Sequence, residues 1–219
     1  KKWYGNNEDV LMYEDDGAEL KKSKKSSLTG ESNYFKEMVS WTRITSAKIS
    51  FRYTREGFIP NMAGLGLYAT ENLNVILGYL NSKVVRHILN LLNPTINYSP
   101  GLIAKIPFIK LDEGTKAKVE KLVDDSVAIT KKDWDSFEIS WDFTKHPLLE
   151  FPNATIQESF NEWEQFKENQ FEQLRANEEE LNQIFIEQYG VENELTSDIP
   201  DEDITIRKAD VTRDMKSFI

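Results

Sequence analysis

The chain has 219 residues, 39% hydrophobic, 11% aromatic and 29% charged, which fits an ordinary folded protein long enough to bury a core. It contains no cysteine, which excludes disulfides and thiolate metal sites and fits a reducing cytosol. The formal net charge is −10, and no apolar run approaches the roughly 18–20 residues of a membrane span, so no membrane contact is expected.

In chain order, residues 9–15 read as a short strand, and the Lys21–Ser27 stretch as a cationic loop. Residues 38–69 read as a group of strands. Ile49, Phe51 and Tyr53 alternate with Lys48, Ser50, Arg52 and Thr54, the period of a half-buried strand over 48–54. Gly57, Pro60, Gly64 and Gly66 supply turns. Thr70 and Ser82 are placed to cap helices over Glu71–Leu80 and Lys83–Leu92, the second ended by Asn93-Pro94. Residues 96–109 read as strand, turn and strand. A helix is expected from Gly114 to Ala128, with a shorter one after Thr130. Thr155 and Glu158 form a capping box and Gly190 a C-terminal stop for one long helix. Its apolar stripe (Phe160, Trp163, Leu174, Leu181, Ile184) is interrupted by Lys167, Gln170 and Asn177. Residues 192–203 read as an acidic linker. The expected fold is α+β, with a mixed domain over 1–150 and a helical spacer over 151–219. Both ends read as cut, so the chain is expected to be a piece of a longer protein.

The acidity is unevenly distributed. Residues 1–110 hold 15 Lys and Arg against 10 Asp and Glu; residues 111–219 hold 12 against 27. Asn72 to Lys110 contains no acidic residue. Phosphate recognition needs local positive potential and not a basic average, so an acidic pI does not exclude a nucleic-acid partner. The N-terminal half is where such a surface is expected. On the 48–54 strand, Lys48 and Arg52 share a face opposite Ile49, Phe51 and Tyr53, and Arg52 is expected to point away from the core. Trp41, Arg43 and Arg55 lie nearby in sequence, and Lys83, Arg86 and Tyr98 come from the acid-free stretch. Lys and Arg reach phosphates, Arg can read guanine edges, and aromatic rings stack.

Catalytic motifs are sparse. His87 and His146 are unlinked in sequence and do not make a metal site. Gly64-Leu65-Gly66 leads into Leu67-Tyr68, which suits a β-turn better than a cofactor-cradling turn. Asn93-Pro94-Thr95-Ile96 lacks the second proline and the aromatic residue of an Asn-Pro-Pro-aromatic box. Pro200-Asp201 with Asp214-Met215-Lys216 has the spacing of a nuclease site, but no strand is expected to carry the second element.

Several separated blocks look familiar: Lys2-Trp3-Tyr4-Gly5-Asn6-Asn7, Tyr79-Leu80-Asn81-Ser82-Lys83 on to Tyr98, Asp133-Trp134-Asp135-Ser136-Phe137-Glu138 with Ser140-Trp141-Asp142-Phe143, and Glu179-Glu180-Leu181-Asn182 to Tyr189-Gly190. They resemble the region after the catalytic domain in large bacterial adenine-specific DNA methyltransferases. That group includes the PglX-like enzymes of phage-exclusion systems and single-chain restriction–modification enzymes. The Leu80-Asn81-Ser82 helix, the Gly101-Leu102-Ile103 turn and Ile106-Pro107 are also similar to target-recognition domains of type I specificity subunits. The resemblance implies a double-stranded-DNA recognition piece, non-catalytic by itself, working beside a methyltransferase domain that uses S-adenosylmethionine. No cofactor and no metal are expected in the piece itself. The other expectation is a protein-interaction module that docks a partner through the long helix.

Overall fold

A computed structural model describes the backbone of residues 1–218 and the side chains of residues 1–214. Strands β1 (Met38–Thr42), β2 (Phe51–Thr54) and β3 (Gly64–Leu67) form an antiparallel sheet in the order β2-β1-β3. Ser40 lies opposite Arg52 and Gly66, and Trp41 opposite Phe51 and Leu65. Because successive side chains alternate, Val39, Trp41 and Phe51 enter the core while Ser40, Thr42, Arg52 and Thr54 take the other face. The N-terminal segment closes the outer edge of β2: Trp3 N–H donates to the Phe51 carbonyl (3.0 Å) and Tyr53 N–H to the Trp3 carbonyl (2.8 Å). That removes an open row of backbone donors and acceptors.

The helices are α1 (Ala18–Lys22), α2 (Leu73–Leu80), α3 (Lys83–Leu92), α4 (Pro100–Ile103), α5 (Glu113–Trp134), α6 (Ile156–Tyr189) and α7 (Val211–Phe218). Their ends follow from local chemistry. Ser82 accepts from Val85 N–H, Asp112 from Gly114 and Thr115, and the Thr155–Glu158 box is reciprocal. Gly190 sits at φ +65°, where a glycine ends a helix without side-chain strain. Helix α6 packs on α5, α3 and α2, burying Phe171, Leu174, Leu181 and Phe185 against Val75, Leu77, Val119 and Val123. Trp3, Val39 and Phe51 join that cluster from the sheet, and Ile199, Ile204 and Ile206 from beyond α6. Residues on both sides of position 150 thus enter one apolar cluster. The architecture is α+β, as the sequence pattern implies.

Of the polar residues that interrupt the α6 stripe, Lys167 and Asn177 are buried with partners, as are Glu178 and Asn182, while Gln170 is half-buried. Lys167 pairs with Asp133, which also takes Lys1 Nζ at 2.9 Å. Glu178 accepts from Lys2 Nζ (2.5 Å) and Trp3 Nε1 (2.6 Å). Asn177 donates to Ser126 Oγ (3.4 Å), and Asn182 takes the Lys83 backbone N–H (2.8 Å). These contacts fix the N-terminal segment, α5, α3 and α6 relative to one another.

Several expected elements differ. Residues 9–13 form no strand, and a 3-10 turn begins at Glu14. Helix α2 begins at Leu73, after Asn72 in the left-handed region, and not at a Thr70 cap. Gly64 and Gly66 lie in β3 and not in a turn; a Cβ on Gly66 would meet Met38 Sδ at 2.6 Å, so that side chain would have to shift. Instead of two strands, residues 96–109 hold an isolated bridge between Asn97 and Ile44, followed by the short α4. Helix α5 runs through Thr130, whose hydroxyl bonds back to Ser126 O (2.8 Å) and so does not cap a second helix. The acidic run after Gly190 is not a free linker, since three isoleucines anchor it in the core. Among the described residues no helix is long and apolar enough to cross a membrane.

Candidate nucleic-acid interface

The face of the sheet that turns away from the core is largely polar and holds Arg52 on the outer strand β2. Alternation places Arg52 on the face opposite Phe51 and Tyr53, as the sequence pattern requires. It is nevertheless only 6% exposed, which corrects the expectation of an outward, solvated side chain. The cause is the N-terminal segment, which lies along β2 and covers it. The guanidinium donates to the Lys1 carbonyl (3.4 Å) and to Thr42 Oγ1 (3.3 Å), both long bonds to neutral acceptors. Among the described residues no carboxylate forms an ion pair with it. Burial pushes its pKa down to about 10, still charged at neutral pH.

Arg52 lines two clefts that also share Asn6. The larger, about 520 Å³, is bounded by Thr42, Thr45, Lys48, Ser50, Arg86 and Asp203 among others. The smaller, about 130 Å³, runs over Ser40 and Thr54 toward Asn61. On the far wall of the larger cleft Asp203 spreads its carboxylate between two cations, with Oδ1 on Lys48 Nζ at 2.5 Å and Oδ2 on Arg86 Nη1 at 3.0 Å. Burial alone would raise the Asp203 carboxyl, but these two cations outweigh it and hold the carboxyl below the ordinary carboxylate range.

The expected residues therefore separate. Lys48, Arg52 and Arg86 converge on one cleft. Trp41 is 2% exposed and holds the core side of β1, its indole N–H bound to the Tyr98 carbonyl (2.8 Å), so it is unavailable for stacking on a base. Tyr98 is half-buried in that same contact. Lys83 donates to the Thr196 and Asp198 carbonyls, and desolvation, then the nearby Arg86 charge, lowers its pKa. Arg55 follows the end of β2 at Thr54 and pairs with Asp142 (3.0 Å), away from the cleft. Arg43 binds Asn97 Oδ1 through Nε (3.3 Å) and has no carboxylate partner among the described residues.

Ser50 shares the cleft with Lys48 and Arg52, as the alternation implies, whereas Asp203, Thr42 and Thr45 belong to it and were not expected there. For Asp203 a signal existed: Ile204 and Ile206 alternate with Asp203, Thr205 and Arg207, a pattern more regular than a linker's. The other motifs resolve simply. Asn93 caps the end of α3 and its side chain binds Thr95, so Asn93-Pro94 is a helix stop. Gly64–Leu67, as a strand, forms no cofactor cradle. Asp214 lies in a helix and not on a strand, while the side chains of Met215 and Lys216 lie outside the described residues. No cluster of metal-binding side chains occurs among the described residues.

No family model matches the chain. Over its whole length it is 34% identical to the adenine-specific methyltransferase PglX of Lacticaseibacillus casei (strain Zhang), of which it covers 19%. Over 90% of its length it is 34% identical to the adenine-specific methyltransferase BrxX of Escherichia coli O9:H4 (strain HS), of which it covers 16%. The chain spans less than a fifth of the length of these curated relatives.

Proposed function

We propose that this chain is the DNA target-recognition piece of an adenine-specific DNA methyltransferase, and that the cleft around Arg52 carries the contact with duplex DNA. Similarity to two such methyltransferases over nearly the whole chain supports the class of parent. The observation that carries the DNA reading is a buried Arg52 with no carboxylate partner among the described residues, facing a cleft shared with Lys48 and Arg86. A buried cation held by neutral groups alone is costly, so its retention is best accounted for by an anionic ligand. Methyl transfer and S-adenosylmethionine then belong to another part of the parent chain, and this piece works beside that domain in the bacterial cytoplasm. The recognition unit centres on the sheet and the helices after it, and α6 serves as the spacer that braces it.

The alternative, a module that docks a partner through its long helix, has less support. The apolar stripe of α6 is consumed within the chain, Leu174, Leu181 and Ile184 in the cluster with α2, α3 and α5 and Phe160 and Trp163 against Leu148.

The test is methylation-site sequencing of the parent enzyme carrying Arg43→Ala, Lys48→Ala or Arg52→Lys. A lost phosphate contact lowers the rate at all sites alike. A lost bidentate arginine–guanine contact relaxes one base position, with roughly 1–3 kcal/mol of discrimination removed. Lys48→Ala should do the first, as should Arg52→Lys, which keeps the charge but not the fork; Arg43→Ala should do the second if Arg43 reads a base. Wild-type rate and site choice in all three would overturn the reading.

A further inference from the structure

A guanidinium offers five N–H donors, and Arg52 makes two hydrogen bonds among the described residues, both beyond 3.2 Å. Its other N–H donors are uncommitted among the described residues. Across that cleft Asp203 already does what an anion would do: one oxygen on Lys48, the other on Arg86. Arginine and lysine around a shared oxyanion are the usual donor set for a phosphate. Thr42, Thr45 and Ser50 add hydroxyls to the same walls, and Glu202 is the other acid that faces in.

We infer that the Arg52 cleft is a site for a single phosphate group and that Asp203 is its built-in surrogate, which a DNA phosphate displaces from Lys48 and Arg86. This rests on the DNA reading for the identity of its ligand. The displacement is local. Asp203 closes a single 3-10 turn, Asp201–Asp203, whose neighbours Ile199 and Ile204 are buried. The backbone therefore stays while the carboxylate rotates out. Lys48 has 58% of its side chain exposed and Arg86 24%, so both can swing toward the incoming oxygens, while Arg52, fixed beneath them, sets where the phosphate stops. Lys1 and Lys2 on the same walls are held by Asp133 and Glu178, and until a phosphate arrives the surrogate keeps Lys48 and Arg86 neutralised as well, which suppresses binding to stray anions.

The test follows the Arg52 side-chain Nε resonance by NMR while inorganic phosphate is added to the chain, with sodium chloride of matched ionic strength as the control. Wild type should show a saturable shift with phosphate and none with chloride. Asp203→Asn keeps the shape and removes the competing charge, and should bind phosphate roughly tenfold more tightly, as expected for one charge contact a few ångströms away and partly screened. An unmoved Arg52 resonance overturns the inference. So does equal or weaker binding by Asp203→Asn, since the acid would then only position Lys48 and Arg86. A DNA duplex added to the same samples separates the two claims. Duplex binding without any Arg52 shift sinks the phosphate site and spares the DNA reading. A phosphate-induced shift with no duplex binding does the reverse.

Discussion

Glu178→Gln tests what holds the cleft together. Glu178 is 3% exposed, and its two oxygens receive Lys2 Nζ and Trp3 Nε1, both buried. Glutamine keeps the shape but supplies only one acceptor. Its NH₂ must face either an ammonium or an indole N–H, a donor against a donor in both cases. Breaking a buried pair by neutralising one member costs about 3–5 kcal/mol, because the remaining charge stays buried. The lower end, about 3 kcal/mol, is expected here, since one hydrogen bond survives. With a urea slope of about 2 kcal/mol/M, the unfolding midpoint should fall by about 1.5 M. Adding Lys2→Met removes the stranded charge and should recover at least half of the loss, because well-packed apolar replacements of buried pairs are often neutral. The Trp3 segment lies on β2 and covers Arg52, so the single variant should also increase solvent access to the cleft. A loss below about 1 kcal/mol, or a double variant no better than the single one, would refute the view that this pair pins the N-terminal segment.

Two further outcomes are expected. Gly78→Ala gains about 1 kcal/mol of helix propensity, but its Cβ would sit 2.8 Å from Val123 Cγ2 and 3.2 Å from Val119 Cγ1. Overpacking of about 1–3 kcal/mol should win, giving a net loss in urea unfolding; a stabilised variant would mean that α2 does not seat on α5 this closely. Asp142 is held below its ordinary 3.8, chiefly by Lys131 and then Arg55, and Asp203 is likewise lowered by Lys48 and Arg86 against the opposing effect of burial. Because the folded values are depressed, these groups contribute stability above pH about 4 that is lost as pH falls through the folded values. Asp142→Asn and Asp203→Asn should each flatten that acid limb in pH-dependent unfolding, and an unchanged limb would count against both ion-pair sets.

Much of the local structure was legible in the sequence because the responsible chemistry is local. Ser82, the Thr155–Glu158 box and Gly190 set helix ends through bonds within a few residues, and the alternation around Phe51 set the correct face for Arg52. The errors came where distant chain decided. Nothing within 48–54 says that residues 1–6 will lie beside β2 and bury Arg52. Nor does the acid-rich composition of 192–203 reveal that Ile199, Ile204 and Ile206 will pull the segment into the core and bring Asp203 onto Lys48 and Arg86. A break was expected before Thr130, but its hydroxyl bonds back to Ser126 O within one continuous helix. The cationic cluster was visible as composition, while its internal neutralisation depended on pairings more than 100 residues apart.

The most direct measurement is the salt dependence of binding between the chain and a labelled DNA duplex, followed by fluorescence anisotropy from about 50 mM salt upward. If the cleft takes one DNA phosphate, that contact should contribute about −0.9 to the slope of log K against log salt, and Lys48→Ala should reduce the slope's magnitude. No association, or association that does not weaken with salt and is unchanged in Lys48→Ala, would contradict DNA recognition through this cleft.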